Sequence, residues 1–120
     1  MLPKDNRLKK GKEIKKVLAE GKSFKKDFLI LKINENELNQ DRFGFIVSQK
    51  VSKKAFIRNK IKRQLRAIII KEIKKNKKGK DVLIIACPGL EKKNFQEINK
   101  TLDSLFLKAK LFAQDFNSNG

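Results

Sequence analysis

The chain has 120 residues, with 31 lysines and arginines against 13 aspartates and glutamates and a formal net charge of +18. That length supports one domain around one core, and the charge far exceeds what solubility needs, so a polyanionic partner is expected. Histidine is absent and Cys87 is the lone cysteine, which excludes histidine bases, Ser-His-Asp triads, histidine-ligated zinc and an internal disulfide.

A single thiol suits a reducing compartment. No apolar run reaches the roughly 18 residues that span a bilayer, and the opening MLPKDNRLKKGKEIKK lacks the apolar stretch of a secretory signal. A cytoplasmic location without a membrane partner is therefore expected. Most carboxylates lie among lysines at positions that read as exposed. No pair is placed for acid–base work, and no cluster fits a self-sufficient metal nuclease.

In chain order, residues 1–10 read as polar and extended, with Arg7, Lys9 and Lys10 within reach of a phosphate backbone. Lys12 to Glu20 reads as a short helix, because Ile14, Val17 and Leu18 recur at i, i+3 and i+4 and Gly21 suits the C′ position. Ser23-Phe24 leads into a strand at about Phe28–Ile33, and NENELNQD (34–41) is a polar hairpin loop. Arg42 to Gln49 is the second strand, in which Gly44 marks either a bulge or a close approach to the sheet. Phe24, Phe28, Phe43 and Phe45 present rings suited to base stacking. With nine Phe and no Trp or Tyr, most are expected in the core.

The densest cationic stretch follows, within FGFIVSQKVSKKAFIRNKIKRQLRAIII (43–70). On a helical wheel at about 100° per residue, Ile57, Leu65 and Ile68 fall within about 40° of Ile61. Arg58, Asn59, Lys62, Arg63 and Arg66 spread over the adjoining and opposite arc. The nearest acidic residues in sequence are Asp41 and Glu72, so nothing inside this helix neutralises it. A basic amphipathic helix also fits a solvated surface, a membrane surface or a calmodulin target. The concentration of cations favours phosphate neutralisation, with Arg able to grip phosphate in bidentate fashion.

A lysine-rich exit, Lys71 to Lys80, leads to DVLIIAC (81–87), an apolar run that fits a strand buried on both faces. Pro88-Gly89 ends it. Asn94 and Glu97 are spaced for a capping box that opens a helix from about Phe95 to Phe112, with Ile98, Leu102, Leu105, Ala109 and Phe112 as its buried stripe. Residues 117–120 are expected to fray. The order α-β-β-α-β-α follows, an α+β domain with helices packed on a mixed sheet.

The run Ser48-Gln49-Lys50, a turn, then Arg58-Asn59-Lys60-Ile61-Lys62-Arg63-Gln64-Leu65-Arg66 resembles the protein subunit of bacterial ribonuclease P. That family's signature is a Ser-Lys-Lys-like strand end followed by Arg-Asn-Arg-x-x-Lys-Arg-x-x-Arg. Lys60 stands where the family has its second Arg, and Gln49 where it has a Lys. The resemblance extends to the Arg7–Lys10 start, the Lys80–Ala86 strand and the last helix. It implies one domain over 1–120, an α/β sandwich with a sheet of about four strands, a further strand pairing around Val51, and a left-handed β-α-β crossover around the basic helix. It implies that the chain binds the catalytic RNA of ribonuclease P and the single-stranded 5′ leader of precursor tRNA, with no DNA partner. The RNA and its Mg²⁺ carry the hydrolytic cleavage, and no catalytic residue is expected in this chain. Carried over by position, Arg58, Asn59, Lys60, Lys62, Arg63 and Arg66 face RNA, while Ile14, Leu18, Leu31, Ile46 and Lys50 line the leader cleft. A small ribosomal or general RNA-binding protein would share the charge, but would give no reason for this strand–turn–helix signature.

Overall fold

The apolar run DVLIIAC forms β4 (Lys80–Ala86), and it is buried on both faces because it lies inside the sheet. In this computed structural model, which describes residues 6–8, 11–36, 38, 41–73 and 79–118, the sheet has four strands in the order β1-β2-β4-β3. β1 is Lys22–Lys26, β2 is Leu29–Glu35 and β3 is Arg42–Ile46. The β1–β2 and β2–β4 pairs are antiparallel and β3–β4 is parallel. A parallel pair needs a crossover, and the basic helix α2 (Ala55–Ile73) supplies it. Helix α1 (Gly11–Glu20) precedes the sheet, and α3 (Phe95–Ser118) follows it after a single 3-10 turn at Leu90–Lys92.

The fourth strand is β1, not a pairing around Val51. Val51 sits in a turn, where its N–H donates to the Ser48 carbonyl at 3.1 Å and its side chain is buried. KSFKK carries one apolar residue among lysines, a composition natural to an edge strand but without a periodic signal. Its two-residue link to β2 places Asp27 at φ 53, a left-handed conformation that Asp tolerates.

Alternation along the strands divides the side chains between two layers. Leu29 and Leu31 of β2, Phe43 of β3 and Val82, Ile84 and Ala86 of β4 face one way. Against them pack Ile61, Leu65, Ile68 and Ile69 of α2 and Ile98, Leu102, Leu105 and Ala109 of α3. Each fully buried Leu or Ile contributes about 1.5–3 kcal/mol, so this layer carries most of the stability. On the opposite face a smaller cluster joins Leu83 to Val17 of α1 and to Leu8, with Ile14, Ile46 and Ile85 packed against it.

Most of the described phenylalanines are inside or against the core, as expected: Phe28, Phe43 and Phe106 are buried, and Phe24 and Phe45 are partly so. The capping box forms, with the Glu97 N–H donating to Asn94 Oδ1 at 2.9 Å and the Asn94 N–H to Glu97 Oε1 at 3.3 Å. Gly21 does follow α1, but for closeness and not for a left-handed φ. A Cβ there would lie 2.5 Å from the Val17 carbonyl oxygen. Helix α3 continues to Ser118, beyond its expected end at Phe112 and into the segment expected to fray.

Candidate nucleic-acid interface

Helix α2 is held by one face and leaves its cations on the other. Ile61, Leu65 and Ile68 are at most 3% exposed, which fixes the rotation of the helix. Asn59, Lys60 and Arg63 are then exposed and Lys62 and Arg66 half-buried. Lys62, Arg63 and Arg66 form one wall of a groove of about 580 Å³ along the outer edge of β3. Its floor is apolar, from Phe43, Gly44 and Phe45 of β3 and Ala67 and Ile70 of α2. Among the described residues no carboxylate lines it.

The opposite wall is the N-terminal strap. The Leu8 N–H donates to the Phe43 carbonyl at 2.8 Å, Arg7 bridges to Phe43 in parallel, and both residues line the groove. The strap crosses directly over Gly44, where a Cβ would come within 3.2 Å of Leu8 and of the Leu83 side chain. Of the two readings of this glycine, close approach is the one observed. Lys9 and Lys10 lie outside the described residues.

Arg58 does something else. Its Nη1 donates to the Ser52 carbonyl at 2.9 Å, so this guanidinium fastens the turn that launches α2. Of the six expected RNA-facing residues, three line the groove, Asn59 and Lys60 are exposed outside its lining, and Arg58 is partly committed to the fold.

The expected cleft set lies mainly on the other face of the sheet. Ile14 and Ile46 gather where α1 crosses the sheet, Leu18 stands outside that cluster at 39% exposed, and Lys50 is exposed in the turn after β3. Leu31 does not join them. It is 0% exposed in the α2–α3 layer, because neighbours in a strand point to opposite faces. Ile30 and Lys32 of β2 stand there instead. Ile30, Ile85 and Ile46 form a row across three strands, all half-buried. Lys32 Nζ donates to the Leu18 carbonyl at 3.0 Å, placing a cation at the negative end of α1, whose last turn has none of its own. The register of alternation would have found Ile30 and Lys32, had Leu31 been recognised as core.

At the sheet end nearest the strap, two carboxylates are buried, unlike the exposed majority the sequence implied. Asp81 accepts from Arg42 Nε at 2.8 Å, from Arg42 Nη2 at 2.7 Å and from Asn36 Nδ2 at 2.8 Å. Arg42 Nη1 also pairs with Glu13 of α1. The hydrogen bond to Asp81 raises the pKa of the Arg42 guanidinium above its ordinary value. Asp41 accepts from the Lys80 N–H at 2.9 Å. Burial nevertheless raises its carboxyl above the usual range, with that hydrogen bond opposing. These groups clamp α1 to the sheet, and among the described residues no group of three or more Cys, Asp or Glu side chains could hold a metal ion.

The fold and site define a small basic α+β domain with a groove-lining cationic helix beside an edge strand. No helix among the described residues is long and apolar enough to cross a membrane. The family model "Ribonuclease P" matches residues 2–110. The ribonuclease P protein component of Syntrophomonas wolfei is 38% identical over 117 residues, covering 98% of each chain. That of Bacillus pumilus is 35% identical over 114 residues, covering 94% of this chain and 95% of its own. Among solved structures, the Staphylococcus aureus RNase P protein matches with a TM-score of 0.81 at 28% identity, over 89% of this chain and 97% of its own. The Thermotoga maritima protein matches at 0.74 and 27%, over 82% and 93%. The chain belongs to the ribonuclease P protein family, the protein components of a bacterial endoribonuclease complex.

Proposed function

We propose that this chain binds the catalytic RNA of ribonuclease P through the α2 groove and holds the 5′ leader of precursor tRNA on the α1 side of the sheet. The observation that carries the reading is the groove itself, with four cations, Arg7, Lys62, Arg63 and Arg66, around an apolar floor. Guanidinium and ammonium groups on a fixed wall suit a phosphate backbone, and their binding releases counterions from it. On the opposite face, the half-buried row Ile30–Ile85–Ile46 beside α1 offers unpaired bases an apolar floor, with Lys50 near its end. Described aromatic side chains do not supply that floor, so recognition there rests on apolar contact and backbone charge.

In this reading the RNA holds the Mg²⁺ and performs the hydrolysis. The buried carboxylates Asp41 and Asp81 already serve the Lys80 N–H, Arg42 and Asn36, and Glu13 serves Arg42. The protein's work is to neutralise phosphates and position the substrate strand in the cytoplasm. The test is reconstitution. The purified protein alone leaves precursor tRNA intact, and it restores cleavage by a bacterial ribonuclease P RNA at low Mg²⁺. Failure to stimulate that RNA would refute the proposal and favour a general RNA-binding role.

A further inference from the structure

Among the described residues, the side chains of Phe56 and Phe95 are used by neither the core nor the groove, and Phe56 is the more exposed. Phe56, in the first turn of α2, is 67% exposed, the most exposed large apolar side chain among the described residues. Lys54 Nζ stands 5.9 Å from its ring centroid, within the range of a cation–π contact. Phe56, Asn59, Lys60 and Arg63 follow at i, i+3, i+4 and i+7, so they form one stripe along the helix, and all four are exposed. An isolated surface phenylalanine would need no account. This ring heads a stripe of phosphate-binding groups, and no Asp or Glu occurs from Arg42 to Lys71.

We propose that Phe56 is a stacking platform for an unpaired RNA base, with Lys54, Lys60 and Arg63 holding the phosphates on either side of it. The inference rests on the RNA-binding reading above and adds a base contact to what is otherwise backbone recognition. The chemistry favours a single strand. Bases in an A-form duplex are stacked on one another and have no free face to offer, whereas an unpaired base lies flat on an aromatic ring. The charge around the ring favours a polyanion over an apolar protein surface. Arg63 belongs both to this stripe and to the groove, so a strand leaving the groove has a continuous path to the ring.

The chain has no tryptophan, so Phe56→Trp introduces a unique fluorophore at the site. The probes are a single-stranded oligoadenylate, an RNA duplex of equal length and a transcribed ribonuclease P RNA, all at one fixed salt concentration. Phe56→Ala is expected to weaken single-strand binding roughly 5- to 150-fold, the range for loss of one stacked base, and to change duplex binding less than about twofold. Phe56→Trp retains affinity, and its emission is quenched by the single strand. Thermal melts of both variants match the wild type, since the ring is not part of the core. The proposal is overturned if Phe56→Ala binds the single strand as wild type does, which would assign the ring to a protein contact. It is equally overturned if the variant loses both probes alike. Arg66→Gln separates the two levels: if it loses ribonuclease P RNA while Phe56→Ala loses nothing, stacking alone falls. If the wild type binds none of the probes, both readings fall.

Discussion

Helices α2 and α3 lie on the same face of the same sheet, yet they begin in opposite ways. At the start of α3, the Asn94–Glu97 box satisfies two backbone donors, Glu97 places a negative charge at the positive end of the dipole, and Lys93 reaches Glu97 at 3.7 Å. The start of α2 has no acidic residue in its first turn. The Lys54 carbonyl accepts from Ile57 and Arg58, but its side chain is a cation, Lys53 precedes it and Arg58 lies in the first turn. Cations at a helix N-terminus are unfavourable by about 0.3–1 kcal/mol each. One helix obeys the rules for standing alone, and the other breaks them where the proposed RNA would supply the missing negative charge.

The comparison should disappear in the buried stripes. Leu65 of α2 and Leu102 of α3 are both 0% exposed, so Leu65→Ala and Leu102→Ala should each lose about 2–5 kcal/mol in denaturant melts. Arg63→Gln with Arg66→Gln should cost under about 0.5 kcal/mol per site while flattening the salt dependence of RNA binding, by roughly one unit of slope per lost phosphate contact. A double variant as unstable as Leu65→Ala would mean that the cationic face is structural after all.

The two N-termini provide a sharper and smaller contrast. Lys54→Asp gives α2 the cap that it lacks and should raise stability by about 1 kcal/mol, a gain of a few degrees in Tm. It should weaken RNA binding at the same time. Asn94→Ala should lose about 1 kcal/mol and leave RNA affinity unchanged. Calorimetry paired with a filter-binding titration reads both quantities. If Lys54→Asp binds RNA as tightly as the wild type, the uncapped end of α2 has no electrostatic role in recognition.

What was legible in the sequence follows the same division. The buried stripe of α2, the doubly buried β4 and the α3 box each depend on local spacing, and each is found where the pattern puts it. Edge strand β1 was missed because an edge among lysines needs only one apolar residue, Phe24. Leu31 was placed on the wrong face because FLILKI is apolar at nearly every position, and pairing with Ile84 of β4, not periodicity, decides which side is core. The groove needed the strap, and nothing local in Arg7-Leu8 announces that it pairs with Phe43. Phe56 was hidden by its surroundings: a phenylalanine between Ala55 and Ile57 reads as core until the helix rotation is fixed.

The smallest expected effect concerns the charges turned inward. Asp41 is 5% exposed, and burial raises its folded-state pKa. A carboxyl with a raised folded pKa adds stability below its unfolded value of about 3.9, and that contribution is lost as pH rises through the folded pKa. At neutral pH the ionised Asp41 therefore costs the fold something that the Lys80 N–H and the Lys80 charge only partly return. Asp41→Asn keeps an oxygen to accept from the Lys80 N–H and removes the buried charge. Its Tm should exceed that of the wild type at pH 7, and the margin should shrink as pH falls through the raised pKa toward 3.9. Asp81 should behave differently, since Arg42 grips it twice, and Asp81→Asn leaves a half-buried guanidinium short of a partner and destabilises at pH 7. Melts of the two variants at pH 7 and pH 4 test the distinction. If Asp41→Asn is less stable than the wild type at pH 7, attraction to Lys80 outweighs desolvation, and the inward carboxylates are both ties of the fold.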